Sequence, residues 1–364
     1  KTLMVYKVQN FQINGQTGGT ANSNQFANPD LKPVSIKEYE VGLNLAFMSN
    51  RLSFDMAYYN KNTTDDIAVV TKYMNVGEIR NQGFEFMVNA TPVHTKNFSW
   101  ETTFNFAYND SEVKYLGGVK SLSIDGASAR SGNVTVRNIV GQPYGMLVGY
   151  KYARDEQGRV IHKNGIPQAT DELQNLGNGV YKYTGGWSNT LRFRDFSLSF
   201  LIDYKAGASL FSGTNYSLYS EGLHKGTLLG RTVDNPGGSG FIGAGVMIDD
   251  NGKILGENNV AVNAQDYHKG IVNNNIAEEF VYNASFIKLR ELSLGYTFPQ
   301  SVLNKMKVVK GLSVSLVGRN LWTILKHTDN IDPESAYNNT NGQGLELNGY
   351  PATRNVGFNV NVKF

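Results

Sequence analysis

The residues best suited to chemistry in this chain are five histidines, two acidic clusters and two glycine pairs. His94, His162, His224, His268 and His327 stand far apart in sequence and match no metal-ligand spacing. No G-x-S-x-G elbow supports a Ser-His-Asp arrangement. Cysteine is absent, which removes thiolate nucleophiles, thiolate metal sites and disulfides. Asp249-Asp250-Asn251-Gly252 hints at a calcium loop, but that motif needs an acid where Met247 stands and Glu where Asn258 stands; Glu257 is one place off. A tight Asn-Gly turn fits better. Asp329, Asp332 and Glu334 form a second acidic stretch, read as a solvated loop with cation binding as the alternative. Gly117-Gly118 and Gly185-Gly186 do not open a helix with Lys-Ser/Thr, so neither is a phosphate loop; they read as turns and strand ends. We therefore expect no catalytic residue, no metal site and no cofactor.

Aromatic side chains in polar stretches are the remaining candidates. Tyr216, Tyr219, Phe241, Tyr267, Phe280 and Tyr282 have the flat apolar surfaces that stack on sugars or clamp peptide side chains. Packing of the loops on one another is the plainer reading.

The elements that must hold these residues are strands. Hydrophobicity recurs with period two, which places alternate residues on opposite sheet faces. Val356, Phe358, Val360, Val362 and Phe364 oppose Asn355, Gly357, Asn359, Asn361 and Lys363. The pattern repeats over Tyr39–Phe47, Leu52–Tyr58, Phe84–Asn89, Phe98–Asn109, Thr190–Arg194, Phe196–Lys205, Glu291–Tyr296 and Leu312–Leu316. The polar faces carry Glu40, Asp55, Glu85, Glu101, Arg192, Arg194, Asp203 and Arg319. Ser49-Asn50-Arg51, Thr95-Lys96-Asn97 and Arg194-Asp195 read as tight turns. Residues 109–143, 206–284 and 324–353 read as long Gly- and Asn-rich loops, all at one end. Such asymmetry is the habit of bacterial barrels, with short periplasmic turns and long extracellular loops. Region 144–183 has two readings: a down-and-up pair through Tyr144–Lys151 and Arg159–His162, or a hairpin within an external loop. Short helices are expected within 206–229 and 301–309, the second ended by Gly311.

Composition agrees. Only 18% of the 364 residues are charged, against roughly 25% in soluble domains. Aromatics reach 12%, with 20 Tyr, 19 Phe and 3 Trp. The net charge of +3 is spread without basic blocks, which argues against a nucleic-acid partner. No apolar run approaches the ~18 residues of a spanning helix, and mean hydropathy is −0.33. That excludes a helical membrane protein and leaves a barrel open, since only alternate residues of its strands meet lipid. The chain opens at Lys1 without signal peptide or initiator Met, so we expect a fragment or processed product whose N-terminal material lies elsewhere.

Phe286-Ile287-Lys288-Leu289-Arg290-Glu291-Leu292-Ser293-Leu294-Gly295-Tyr296-Thr297-Phe298-Pro299 resembles a signature of the SusC/RagA family of TonB-dependent transporters. Further matches follow in order: Asn28-Pro29-Asp30-Leu31-Lys32-Pro33 before Tyr39-Glu40-Val41-Gly42-Leu43; Asn81-Gln82-Gly83-Phe84-Glu85 leading to Asn89-Ala90-Thr91-Pro92; Val317-Gly318-Arg319-Asn320-Leu321 before Ile331-Asp332-Pro333-Glu334-Ser335; and Gly349-Tyr350-Pro351-Ala352-Thr353-Arg354 before a terminal Phe364. The terminal Phe also looks like the end used for barrel insertion. The resemblance runs from about residue 28 to the end. It implies an all-β fold: the C-terminal portion of a transmembrane antiparallel β-barrel, about 22-stranded and plugged by an N-terminal domain absent from this chain. It further implies a Gram-negative outer membrane, import of oligosaccharides or peptides, a SusD-like surface lipoprotein as partner, and energy from the TonB complex through the missing N-terminal part. The family assigns external loops, but no individual residues, to lipoprotein and cargo. Two alternatives compete: a stand-alone small outer-membrane barrel with hydrolase activity, and a surface β-sandwich binding module.

Overall fold

The computed structural model describes residues 7–13, 16–20, 30–69, 73–125, 134–306, 308–336 and 342–364. Asn28 and Pro29 of the family-like stretch, and parts of the expected loops at 126–133 and 337–341, lie outside the described residues.

Nine strands make one antiparallel sheet: β1 Ser35–Phe47, β2 Leu52–Val69, β3 Tyr73–His94, β4 Phe98–Leu116, β5 Tyr183–Phe193, β6 Phe196–Ala206, β7 Phe286–Thr297, β8 Gly311–Lys326 and β9 Asn355–Lys363. Their spatial order is their chain order. Register is fixed by matching apolar to apolar. One continuous row runs Val93, Trp100, Leu191, Leu198, Leu294, Leu316 and Phe358, each directly opposite the next. A slip of one residue would turn a whole strand's apolar set to the polar side.

This apolar face has no second layer. Tyr39, Val41, Phe193, Phe196, Leu316, Trp322 and Phe358 are all exposed, Phe358 to 80%. Contiguous exposed apolar surface on this scale is foreign to a soluble monomer. The sandwich alternative requires a packed partner sheet here and is thereby overturned. The small closed barrel is also overturned, because β1 and β9 are the sheet's two edges and do not pair with each other.

The expected turns join β1 to β2, β3 to β4 and β5 to β6. Ser49, Asn50 and Arg194 adopt positive φ there, as tight reversals require. The same end of the sheet holds the β7–β8 connection with its short helix α3, Gln300–Leu303. At the opposite end β2 and β3 run 18 and 22 residues, well past the ~9–11 needed to cross a bilayer. Strand thus extends through residues 59–69 and 73–83, beyond the alternating stretches of the sequence. Residues 144–182 belong to the β4–β5 connection rather than to the wall, since β4 pairs directly with β5 through Tyr108 and Tyr183. Their strands Met146–Gly149 and Gln174–Asn178 join Ser121–Asp125 and Thr135–Ile139 in a separate small sheet.

Among the described residues, the conventional core lies at this long-connection end. Val134, Val136, Leu147, Phe211, Ile276, Ala277 and Phe280 are fully buried together, drawn from the β4–β5 and β6–β7 connections. The latter contributes helices α1 (Gly213–Ser220) and α2 (Ala264–Asn273). Asn263 caps α2 through a bond from Gln265 N, and Ala264, His268, Ile271 and Val272 form its buried stripe. The expected helix in 206–229 is α1, capped by Ser212. Asp249–Gly252 is a turn: Asp249 Oδ1 accepts from Asn251 N and Lys253 N, and Gly252 sits at φ +82°. Ion binding gives way there to Asp249's bonds to its own backbone.

Candidate functional site

Two constellations stand out where the wall meets the cap, and both were invisible as local motifs. The first is built by a β-bulge. Along β7, Leu289 pairs with Ile202 but the next ladder partner of β6, Leu201, pairs with Glu291, leaving Arg290 as the extra residue. Asn320 of β8 takes φ +52° at the matching irregularity. A bulge changes side-chain parity, so Lys288, Arg290 and Glu291 all serve the polar side.

The cations thus gathered hold the β8–β9 loop. Lys288 Nζ donates to Asp332 Oδ1 at 2.6 Å and to Glu334 Oε2 at 2.7 Å, with only 3% of its side chain exposed. Arg290 donates to both carboxylate oxygens of Glu334, to Asn320 Oδ1 at 3.0 Å, and to Asp203 of β6. Asp332 accepts from Ala352 N, and Asn320 donates to the Thr353 carbonyl. Four family-like stretches therefore meet in one network: the β7 signature, Gly318–Leu321, Ile331–Ser335 and Gly349–Arg354. Burial alone would raise the Asp332 and Glu334 carboxyls; the bonds from Lys288 and Arg290 overcome it and hold both below the ordinary carboxylate range. The cation alternative for this stretch fails on the same facts, since two acids already face protein cations and Asp329 pairs with Lys225 at 3.1 Å. Among the described residues no group of acids and histidines is arranged for a metal.

A second buried acid ties this loop to α1. Glu346, fully buried, accepts from Ser212 Oγ at 2.8 Å, Thr214 N at 3.1 Å, Thr214 Oγ1 at 2.7 Å and Gly349 N at 2.8 Å. A carboxylate at a helix N-terminus is favoured by the free N–H groups and the dipole.

The second constellation is aromatic. The structure brings five of the six candidates into one ring-contact network, and Tyr282 joins it through Asn215 Nδ2, which donates to its hydroxyl at 2.9 Å. Tyr216 lies 5.3 Å and Tyr219 5.0 Å from Phe280, and Phe241 lies 4.8 Å from Tyr267. His268 bridges Tyr219 and Tyr267, while His224 and His162 flank it. Three histidines distant in sequence thus share one cluster, none with a geometry for metal. Phe280 is fully buried and Tyr219 nearly so; Tyr216, Phe241, Tyr267 and Tyr282 are half-buried. Glu279 holds the cluster to the β4–β5 excursion, accepting from Tyr219 Oη at 2.9 Å and Tyr152 Oη at 2.8 Å. Burial first, then Glu279, raises both phenols, and burial raises Tyr282 to about 12.

The wall's own charges divide. Arg192 pairs with Glu101 at 2.7 Å and Arg319 with Glu291 at 2.9 Å across neighbouring strands. Arg194 sits in the β5–β6 turn over the Phe193 ring. Glu40, Asp55 and Glu85 line a cleft of about 440 Å³ spanning β1–β5, together with Phe86 and Phe106, and have no cationic partner among the described residues.

An antiparallel wall that is apolar outside, polar inside and capped at one end by folded loops is a piece of an outer-membrane-type β-barrel. The chain belongs to the family described as TonB dependent receptor-like, beta-barrel, whose model matches residues 6–321. TonB-dependent receptor P3 of Formosa agariphila is 25% identical over 93% of this chain and 35% of its own length. TonB-dependent receptor SusC of Bacteroides thetaiotaomicron is 23% identical over 93% of this chain and 32% of its own. The solved RagAB peptide transporter matches all of this chain and 38% of its own at 20% identity, with a TM-score of 0.71, which shows a shared fold. The chain spans about a third of the length of the curated relatives it matches.

Proposed function

We propose that this chain is the C-terminal part of a TonB-dependent outer-membrane importer of oligosaccharides or peptides in a Gram-negative bacterium. A SusD-like lipoprotein would sit on the capped end, and a plug and TonB-contacting segment would come from the preceding part of the protein. The single observation that carries this reading is the two-faced wall: an apolar band turned outward over nine strands and a polar inner face onto which the β8–β9 loop is clamped.

Backbone groups in lipid must all be hydrogen-bonded, so the open edges at β1 and β9 call for further strands that complete a barrel. A barrel wide enough to need them would leak without a plug. The unpaired acids Glu40, Asp55 and Glu85 on the inner face suit contacts with such a plug. A plug moves only with outside energy, which fits a TonB partner and a chain without nucleotide motifs. The family match and the likeness to a solved transporter support transport as the role. The long connections 109–143, 206–284 and 324–353 would be extracellular. Within them Phe280 and Tyr219 would shape the cap, and half-buried Tyr216, Phe241, Tyr267 and Tyr282 would contact cargo. The name SusC among the relatives and the match to a peptide transporter support the two cargo classes equally.

The test is extraction of the full-length protein from outer membranes in mild detergent, with mass spectrometry of everything that co-purifies. A surface lipoprotein together with bound glycans or peptides is the expected result. A protein recovered without detergent from the soluble fraction would overturn the reading.

A further inference from the structure

Beneath the cap surface lies a cavity of about 280 Å³ between the end of α1, the stretch 222–237 and α2. It is polar and none of the six aromatic candidates except Tyr219 borders it. We propose that this cavity binds a carboxylate group of the cargo, an inference that rests on the importer reading and narrows its substrate class.

Three features carry it. First, Arg231 is a pre-set fork. Its Nε donates to the Thr227 carbonyl at 2.7 Å, and its Nη2 to Thr227 Oγ1 at 2.7 Å and the Gly222 carbonyl at 3.3 Å. The guanidinium plane is thereby fixed, and Nη1 is left without a partner among the described residues. A fixed planar fork loses little freedom on meeting a carboxylate. Second, Lys269 on α2 lines the same cavity, is exposed, and has no ion-pair partner among the described residues. Two cations thus face one acid, Glu221, so the balance of the lining is positive. Third, His268, only 4% exposed, also lines the cavity. Its Nε2 faces the Leu229 carbonyl at 3.0 Å, which only accepts, so Nε2 carries a proton; Nδ1 is buried with no protein partner. In the neutral ring that Nδ1 accepts a hydrogen bond, which suits a hydroxyl or amide beside the carboxylate. A volume near the lower end of the ~300–1,000 Å³ of small-molecule pockets holds one charged unit of a chain rather than a whole oligomer.

A carboxylate reaches such a cavity from a uronic acid or from an acidic peptide, and matched probes separate the two. Binding to the full-length protein in detergent is measured for an oligogalacturonate against its methyl ester, and for a glutamate-bearing peptide against its glutamine counterpart. In one pair the free acid is expected to bind about tenfold more tightly than the neutral form, the scale of one charge-assisted hydrogen-bond pair. Lys269→Glu should abolish most of that preference while leaving the neutral form's affinity unchanged; Arg231→Gln should do the same. Equal binding within both pairs, or a preference that survives Lys269→Glu, overturns the proposal. Should acid and neutral forms bind equally and both be taken up, the cavity assignment alone falls. Should no oligomer of either class bind or enter cells, the importer reading falls with it.

Discussion

Lys288 and Asp332, 44 positions apart in the chain, meet at 2.6 Å, and that contact fastens the β8–β9 loop to the polar face of the wall. The lysine is buried, and Glu334 of the same loop completes a clamp shared with Arg290. Removing one member of a buried pair leaves its partners uncompensated, which is far more damaging than the pair's net worth would suggest.

Lys288→Met should therefore release the β8–β9 loop. The expected local cost is about 3 kcal/mol, the lower end of the range for breaking a buried pair, because both acids keep some solvent. Limited proteolysis of the folded full-length protein checks this: cleavage within 327–353 should accelerate while the wall stays resistant. Unchanged cleavage would mean that Arg290 alone suffices.

The same clamp has a pH signature. Asp332 and Glu334 titrate lower in the folded protein than in the unfolded chain. Depressed carboxyls contribute stability that is complete above their unfolded value of about 4 and is lost as pH falls through the folded value. Hydrogen exchange of the loop should thus be unchanged from pH 7 to about pH 5 once corrected for intrinsic rates, and protection should fall only below about pH 4. Loss of protection between pH 7 and 5 would contradict the assignment.

Glu346 offers an independent check on the cap. Glu346→Ala strips four donors of their acceptor at the start of α1. Buried donors left unsatisfied cost about 1–3 kcal/mol each if nothing replaces the acceptor. Protection of Gly213–Ser220 against exchange should drop sharply, with β5 and β6 unaffected. Equal protection in α1 would show that the helix stands without this acid.

How far the sequence told this story differs by element. The wall was legible because a strand with lipid on one face and water on the other must alternate, as β9 does from Asn355 to Lys363. The tight turns at Ser49–Arg51 and Arg194-Asp195 were legible from their residue types. Residues 144–183 were not, because Met146–Gly149 is buried on both sides and carries no period. The clamp was hidden for another reason: the bulge at Arg290 breaks the parity that period-two reading depends on. Lys288 looks like a residue on the apolar side until the register shift is known. The six loop aromatics were found by type and context, yet their convergence through His268, and the burial of Phe280, depend on contacts between segments tens of residues apart. The Arg231 and Lys269 cavity left no sequence signal, since scattered cations in polar loops are usually solvated.

In the importer reading, the even-numbered face of β9 meets lipid. This chain has no cysteine, so single cysteines can be placed one at a time from residue 355 to 363 of the full-length protein, with any cysteine of its preceding part replaced by serine, and spin-labelled in bilayers. The account predicts alternation: labels at Val356, Phe358, Val360 and Val362 are reached by a lipid-soluble relaxation agent and shielded from a water-soluble one, while labels at Asn355, Gly357, Asn359 and Asn361 are not reached from lipid. Equal access of the water-soluble agent to both sets would contradict it.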